Sequence, residues 1–190
     1  MNARKGLLLV FVMLFFVTAP ASAQTQMPKI DPEQRHLVLA TSATATMQME
    51  LDFAAEKGFR VVAGSARGNS EIVLLLERPS DKAEKYQHKL IAATDTITFQ
   101  REISEAARQG YRALPRTFFN KPHAMSVTEI VVIMERAPGA TKRYEYKLLA
   151  TTLTSTLEKE WGLTELSGFH AAAMLTRSEL MILLKREAKP

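Results

Sequence analysis

An α+β fold built from three tandem β-α-β-β units, with mainly antiparallel sheet and the helices packed on one face, is what the sequence predicts, and three observations predict it. A stretch of 20 residues occurs three times, at 40–59, 92–111 and 150–169, and the copies align without a gap. An apolar block also occurs three times, as EIVLLLER at 71–78, EIVVIMER at 129–136 and ELMILLKR at 179–186. The linkers between successive units, 79–85 and 137–143, are both seven residues long. Self-similarity at a period of about 50 residues marks a repeated supersecondary unit, and equal linkers place successive units by the same geometric step.

Residues 1–23 read as an export signal. Arg4 and Lys5 precede an apolar run at 6–17, and Ala21, Ser22 and Ala23 supply a cleavage signature before Gln24, in the order such signals require. The run of 12 residues is short of the roughly 20 that span a bilayer. The expected product is therefore a mature chain of residues 24–190, in the periplasm or outside the cell, without a transmembrane anchor. Residues 24–33 carry two prolines and no periodicity, which reads as a flexible lead-in.

The units are expected at 34–78, 86–136 and 144–187. Each opens with a strand, at 36–41, 86–93 and 144–151, of which the last alternates apolar and polar residues with period two. An amphipathic helix follows. Met47, Leu51, Ala54, Ala55 and Gly58 repeat as Phe99, Ile103, Ala106, Ala107 and Gly110, a spacing that lines one helix face with apolar groups. Thr46, Thr98 and Thr156 are the expected N-caps. Gly58, Gly110 and Gly168, each followed by an aromatic, are the expected left-handed stops. In the third copy Leu157 and Trp161 keep the stripe, while Gly162 weakens the helix interior by about 1 kcal/mol. A strand follows each stop glycine, at 59–65, 111–114 and 169–175. The apolar block then closes the unit as a strand central in its sheet, because it is apolar on both faces.

From the stop glycine to the glutamate that opens the last strand the spacing is 13, 19 and 11 residues in the three units, and the excess of the second lies in residues 115–127, an insertion. Loops carry binding residues more often than the elements they connect, so Phe118, Phe119 and His123 are the candidate contact residues. The competing reading is that both phenylalanines fold back over the edge of the core.

The third copy, with YEYKLL at 144–149, the pair Gly168 and Phe169, and LMILLKRE at 180–187, resembles a class of short bacterial domains of unknown function. Such domains open with a Y-x-Y-K strand, follow a helix with glycine and an aromatic, and end on an apolar strand with basic residues. The first copy departs furthest, with Gln34 and His36 where the third has Tyr144 and Tyr146. The resemblance implies no activity and brings no catalytic residue.

Composition narrows the chemistry. The formal charge of +5 becomes +3 without Arg4 and Lys5, and both signs are interspersed, unlike the clustered basic face of a nucleic-acid binder. The chain has no cysteine, which removes disulfides, thiol catalysis and Cys-ligated metals. His36 and His88 are equivalent across two units, but the third has Tyr146 there and no metal-ligand spacing occurs, so no metal and no cofactor are expected. The recurring Glu50, Glu102 and Glu160 suit the early helix turns, and Arg78, Arg136 and Arg186 are expected to pair with them or stay solvated. No nucleophile elbow, phosphate loop or paired-carboxylate motif is present. The expectation is a non-enzymatic binding or interaction module, with an envelope protein partner or self-association. The alternative is a small-molecule binder with a pocket between units, and an enzyme of unknown reaction ranks below both.

Overall fold

The computed structural model describes residues 27–68, 70–79, 85–122 and 127–189. The expected export signal, Asn69, most of the first linker and His123 lie outside the described residues. Among the described residues the fold is α+β, with three α-helices and three antiparallel sheets. Strand β1 (His36–Thr41), helix α1 (Thr44–Glu56), β2 (Arg60–Arg67) and β3 (Glu71–Glu77) build the first sheet, in the order β1-β3-β2. Strand β4 (Gln87–Ala93), α2 (Thr96–Arg108), β5 (Arg112–Ala113), β6 (Phe119–Pro122) and β7 (Thr128–Arg136) build the second, with β7 between β4 and the β5 and β6 pair. Strand β8 (Tyr144–Thr151), α3 (Thr154–Glu165), β9 (His170–Thr176) and β10 (Leu180–Glu187) build the third, in the order β8-β10-β9. The element order is compatible with three tandem units. In each sheet the apolar strand is central, as strands apolar on both faces require.

Each helix stops as its glycine dictates. Gly58, Gly110 and Gly168 have φ of 82°, 91° and 83°. The glycine and following aromatic donate back to the last turn, Phe59 N–H to Ala54 O at 3.0 Å and Tyr111 N–H to Ala106 O at 3.1 Å, a Schellman stop. The starts differ from expectation. The N-caps are Ala43, Asp95 and Leu153, and Thr46, Thr98 and Thr156 lie inside the first turn. Asp95 wins at α2 because its carboxylate accepts from the Thr98 N–H at 2.8 Å, which holds its carboxyl below the usual range. Thr41 and Thr151 instead accept from the N–H two residues on, turning the chain from strand to helix.

The layers alternate along the chain. The inward side of β3 (Ile72, Leu74, Leu76) packs with Met47 and Leu51 of α1, and Ile133 and Leu90 of the second sheet close the same cluster from the far side. Helix α1 therefore lies between the first and second sheets. The alternate residues of β7, Ile130, Val132 and Met134, pack with Phe99 and Ile103 of α2, and Met181 and Leu183 of β10 complete that cluster. Helix α2 thus lies between the second and third sheets. Among the described residues helix α3 packs on its own sheet, with Leu157, Phe169, Ile182 and Leu184. Covered on one side, it leaves Trp161 37% exposed, although Trp161 continues the stripe of Leu51 and Ile103.

The insertion is not a free loop. Strand β5 pairs with Met134 and Glu135, and β6 with residues 128–131, so the edge of β7 is split. The single 3₁₀ turn Pro115–Thr117 fills the gap: Thr117 Oγ1 accepts from the Ile133 N–H at 2.9 Å, and the Leu114 N–H donates to Ile133 O at 2.9 Å. Gly64 makes room for the insertion, because a Cβ there would lie 3.1 Å from Phe119 and 2.7 Å from Leu74.

Candidate functional site

The two internal seams define what a complete surface looks like. From α1, the Gln48 side-chain amide donates to His88 O at 3.1 Å and its carbonyl accepts from the Leu90 N–H at 2.7 Å. From α2, Gln100 donates to Tyr146 O at 2.9 Å and accepts from the Leu148 N–H at 2.6 Å. An edge strand presents unpaired N–H and C=O groups to solvent, and a carboxamide, with one donor and one acceptor, satisfies one of each. Ala55 and Ala107, seven residues after each glutamine, are buried and let the helix approach the sheet. Sequence reasoning missed Gln48 and Gln100, although they fall at the same position of the aligned copies; the signal was the amide recurring where a helix surface tolerates any polar residue.

The outer face of the first sheet lacks such a cover among the described residues. Strand pairing places Val38 opposite Leu75, Leu90 opposite Ile133 and Leu148 opposite Leu183. Ile133 and Leu183 are fully buried, whereas Leu75 is 48% exposed and Val38 59%. Ala40 is exposed and Val73 half-buried on the same side. Four neighbouring apolar side chains thus form one contiguous apolar patch on this sheet face.

The residues singled out from sequence fall elsewhere. Phe118 is buried against Phe99, with ring centroids 5.9 Å apart. Phe119 is half-buried beside Gly64 on the first-sheet side of β6, and His123 lies outside the described residues. The structure separates the two phenylalanines onto the two clusters that flank the second sheet. His36 and His170 are exposed and His88 is buried. Among the described residues no three His, Asp or Glu side chains come together as a metal site. Arg78, Arg136 and Arg186 do not pair with Glu50, Glu102 or Glu160. Their guanidiniums lie over Phe59, Tyr111 and Phe169 at 4.5, 5.0 and 4.4 Å. Arg136 and Arg186 also donate to Gln109 O and Ser167 O at the helix ends, where a cation suits the macrodipole. The aromatic after each stop glycine thus serves as a platform for the strand arginine.

A cluster of unlike polar groups sits in the first seam. Glu135 is fully buried on the side of β7 that faces α1. Arg60 of β2 grips both its oxygens, at 2.6 and 2.9 Å, and Arg112 of β5 adds a bond at 2.8 Å. His88 Nε2 lies 3.6 Å away, in ion-pair range but too far for a hydrogen bond, and Tyr86 stacks on Arg60 at 4.3 Å. Burial works to raise the Glu135 carboxyl, but His88, Arg60 and Arg112 pull it down to about 2. A carboxylate so acidic and so fully engaged is a poor general base near neutral pH. Its evident effect is to tie the first sheet to the second.

A cleft of about 720 Å³ opens between α2 and α3 above β8, with Ile97, Leu163, Lys147 and Glu160 on its walls. Among the described residues no helix is long and apolar enough to cross a membrane. Compared with protein-family models, with curated proteins and with solved structures, the chain matches none of them.

Proposed function

We propose that the chain is an exported, non-catalytic interaction module of three tandem copies of one unit, and that its contact surface is the outer face of the first sheet. The observation that carries the reading is the contrast at equivalent, paired positions: Ile133 and Leu183 are buried by the helix before them, while Leu75 and Val38 are exposed. The register skips Val62 in β2 and Ala172 in β9, positions that also align between the first and third copies, which supports the tandem reading. The likeness of the third copy to short bacterial domains fits an exported module but adds no activity.

The test is affinity capture by the mature chain, residues 24–190, from its native envelope extract, beside the variant carrying Val38→Asp and Leu75→Asp. The expected result is one protein recovered in stoichiometric yield by the parent and lost by the variant. Both positions are surface sites, so the variant's stability should stay within roughly 0.5 kcal/mol of the parent per substitution. Undiminished capture by the folded variant would place the contact surface elsewhere, and no capture by either would sink the interaction reading.

The α2–α3 cleft supports a second reading, a small-molecule site, since its volume lies in the range of ligand pockets. Saturable thermal stabilisation by an envelope metabolite, lost with Leu163→Glu, is the expected result. A flat response across the metabolite pool removes this reading.

A further inference from the structure

The partner that the first sheet takes can be read from the two seams already filled. We infer that it is an amphipathic helix carrying a glutamine and, seven residues later, an alanine, and that this chain's own third helix is barred from the place by Glu158 and Glu165. The inference rests on the proposed role of the first-sheet face and names the chemistry of its partner.

Both internal covers have the same composition. Gln48 with Ala55, and Gln100 with Ala107, sit on the helix sides that meet the next sheet, and each glutamine bridges the same two groups of an edge strand. Strand β1 offers the matching groups. His36 pairs with Glu77 as His88 pairs with Glu135, and Val38 with Leu75 as Leu90 with Ile133. The His36 carbonyl and the Val38 N–H therefore point outward as those of His88 and Leu90 do. Gln34 Nε2 donates to His36 O at 2.7 Å, which leaves that carbonyl a second lone pair. No described residue accepts from the Val38 N–H.

The third helix carries different residues at these positions. Glu158 and Glu165 align with Gln48 and Ala55, and both are exposed. A carboxylate accepts only, so Glu158 against β1 would meet the Val38 N–H but set an oxygen against the His36 carbonyl. Glu165 would bring a charge where both filled seams hold a methyl group, and an unpaired charge taken out of water is strongly unfavourable. A helix of one copy on the first sheet of the next would be a heterologous contact that grows into open chains. The two glutamates act against that outcome while the first-sheet face stays available to a helix from another protein.

Sedimentation velocity on the mature chain tests this without the partner in hand. The parent is expected to remain monomeric. Glu158→Gln with Glu165→Ala restores the seam pattern on α3, and the double variant should self-associate with concentration, at least about tenfold more tightly than the parent. Adding Val38→Asp and Leu75→Asp should return it to monomer, with circular dichroism confirming that each variant is folded. A double variant that stays monomeric up to about 1 mM, a concentration that reveals even weak contacts, overturns the inference. So does association that survives the charged face, and so does a parent that already self-associates through it, since the occupant is then a second copy. Envelope capture that depends on Val38 and Leu75, together with a monomeric double variant, would retain the contact surface and reject only the helix chemistry.

Discussion

Replacing Glu135 with glutamine is expected to destabilise the fold by about 3–5 kcal/mol, the usual cost of breaking a buried ion pair from one side. The amide keeps the shape and one acceptor but leaves the guanidiniums of Arg60 and Arg112 without a counter-charge at a site with no exposed side-chain surface on the glutamate. Urea unfolding at neutral pH measures the loss, and a change below about 1 kcal/mol would mean that water reaches the cluster and screens it. The same carboxylate predicts an acid dependence. Its folded value, about 2 against an ordinary 4.5, lies below the unfolded one. Its contribution is therefore complete above about pH 4.5 and lost as pH falls towards 2, amounting to about 3 kcal/mol at most from a shift of this size. Urea midpoints followed from pH 5 down to pH 2 should fall more steeply for the parent than for Glu135→Gln. Parallel slopes would show that other carboxyls carry the acid sensitivity.

Phe118→Ala is expected to cost about 3–5 kcal/mol, as large aromatics do when removed from a packed core. The ring is 8% exposed and lies against Phe99 in the cluster shared by α2 and the third sheet. It also anchors the 3₁₀ turn whose Thr117 completes the hydrogen bonding of β7. A thermal melt reports the loss directly, and a variant within 1 kcal/mol of the parent would show that the insertion packs more loosely than the structure has it. Any partner lost by this variant must be judged against its folded fraction, because the side chain reaches a surface only when the insertion detaches.

Much of the fold was legible in the sequence because its signals are local. The apolar stripe from Met47 to Gly58 and its copy from Phe99 to Gly110 specify helices by spacing alone. The positive φ at each stop glycine follows from the absence of a Cβ, and the doubly apolar blocks had to be central strands. The helix starts were less legible: three aligned threonines looked like caps, but Asp95 sits one residue ahead of the helix with a carboxylate that outcompetes a hydroxyl. The insertion was legible as an excess of length and not as a strand, since the pairing of β6 with β7 depends on a gap left by β5.

The candidate surface was legible only in part. Val38 and Leu75 look like any outward-facing strand residues, and their counterparts Leu90 and Ile133 look the same. The sequence alone determined the helices, the central strands, the helix stops and the absence of cysteine, because periodicity, glycine conformation and residue type act within a few residues. The tertiary structure decided which face each helix covers, that two glutamines close two edge strands, that Glu135 is buried among cations, and that no described helix covers the outer face of the first sheet. Those facts depend on stacking order: a layer between two neighbours buries both faces, a terminal layer buries one, and two residues of the same type acquire opposite roles from their position in the stack.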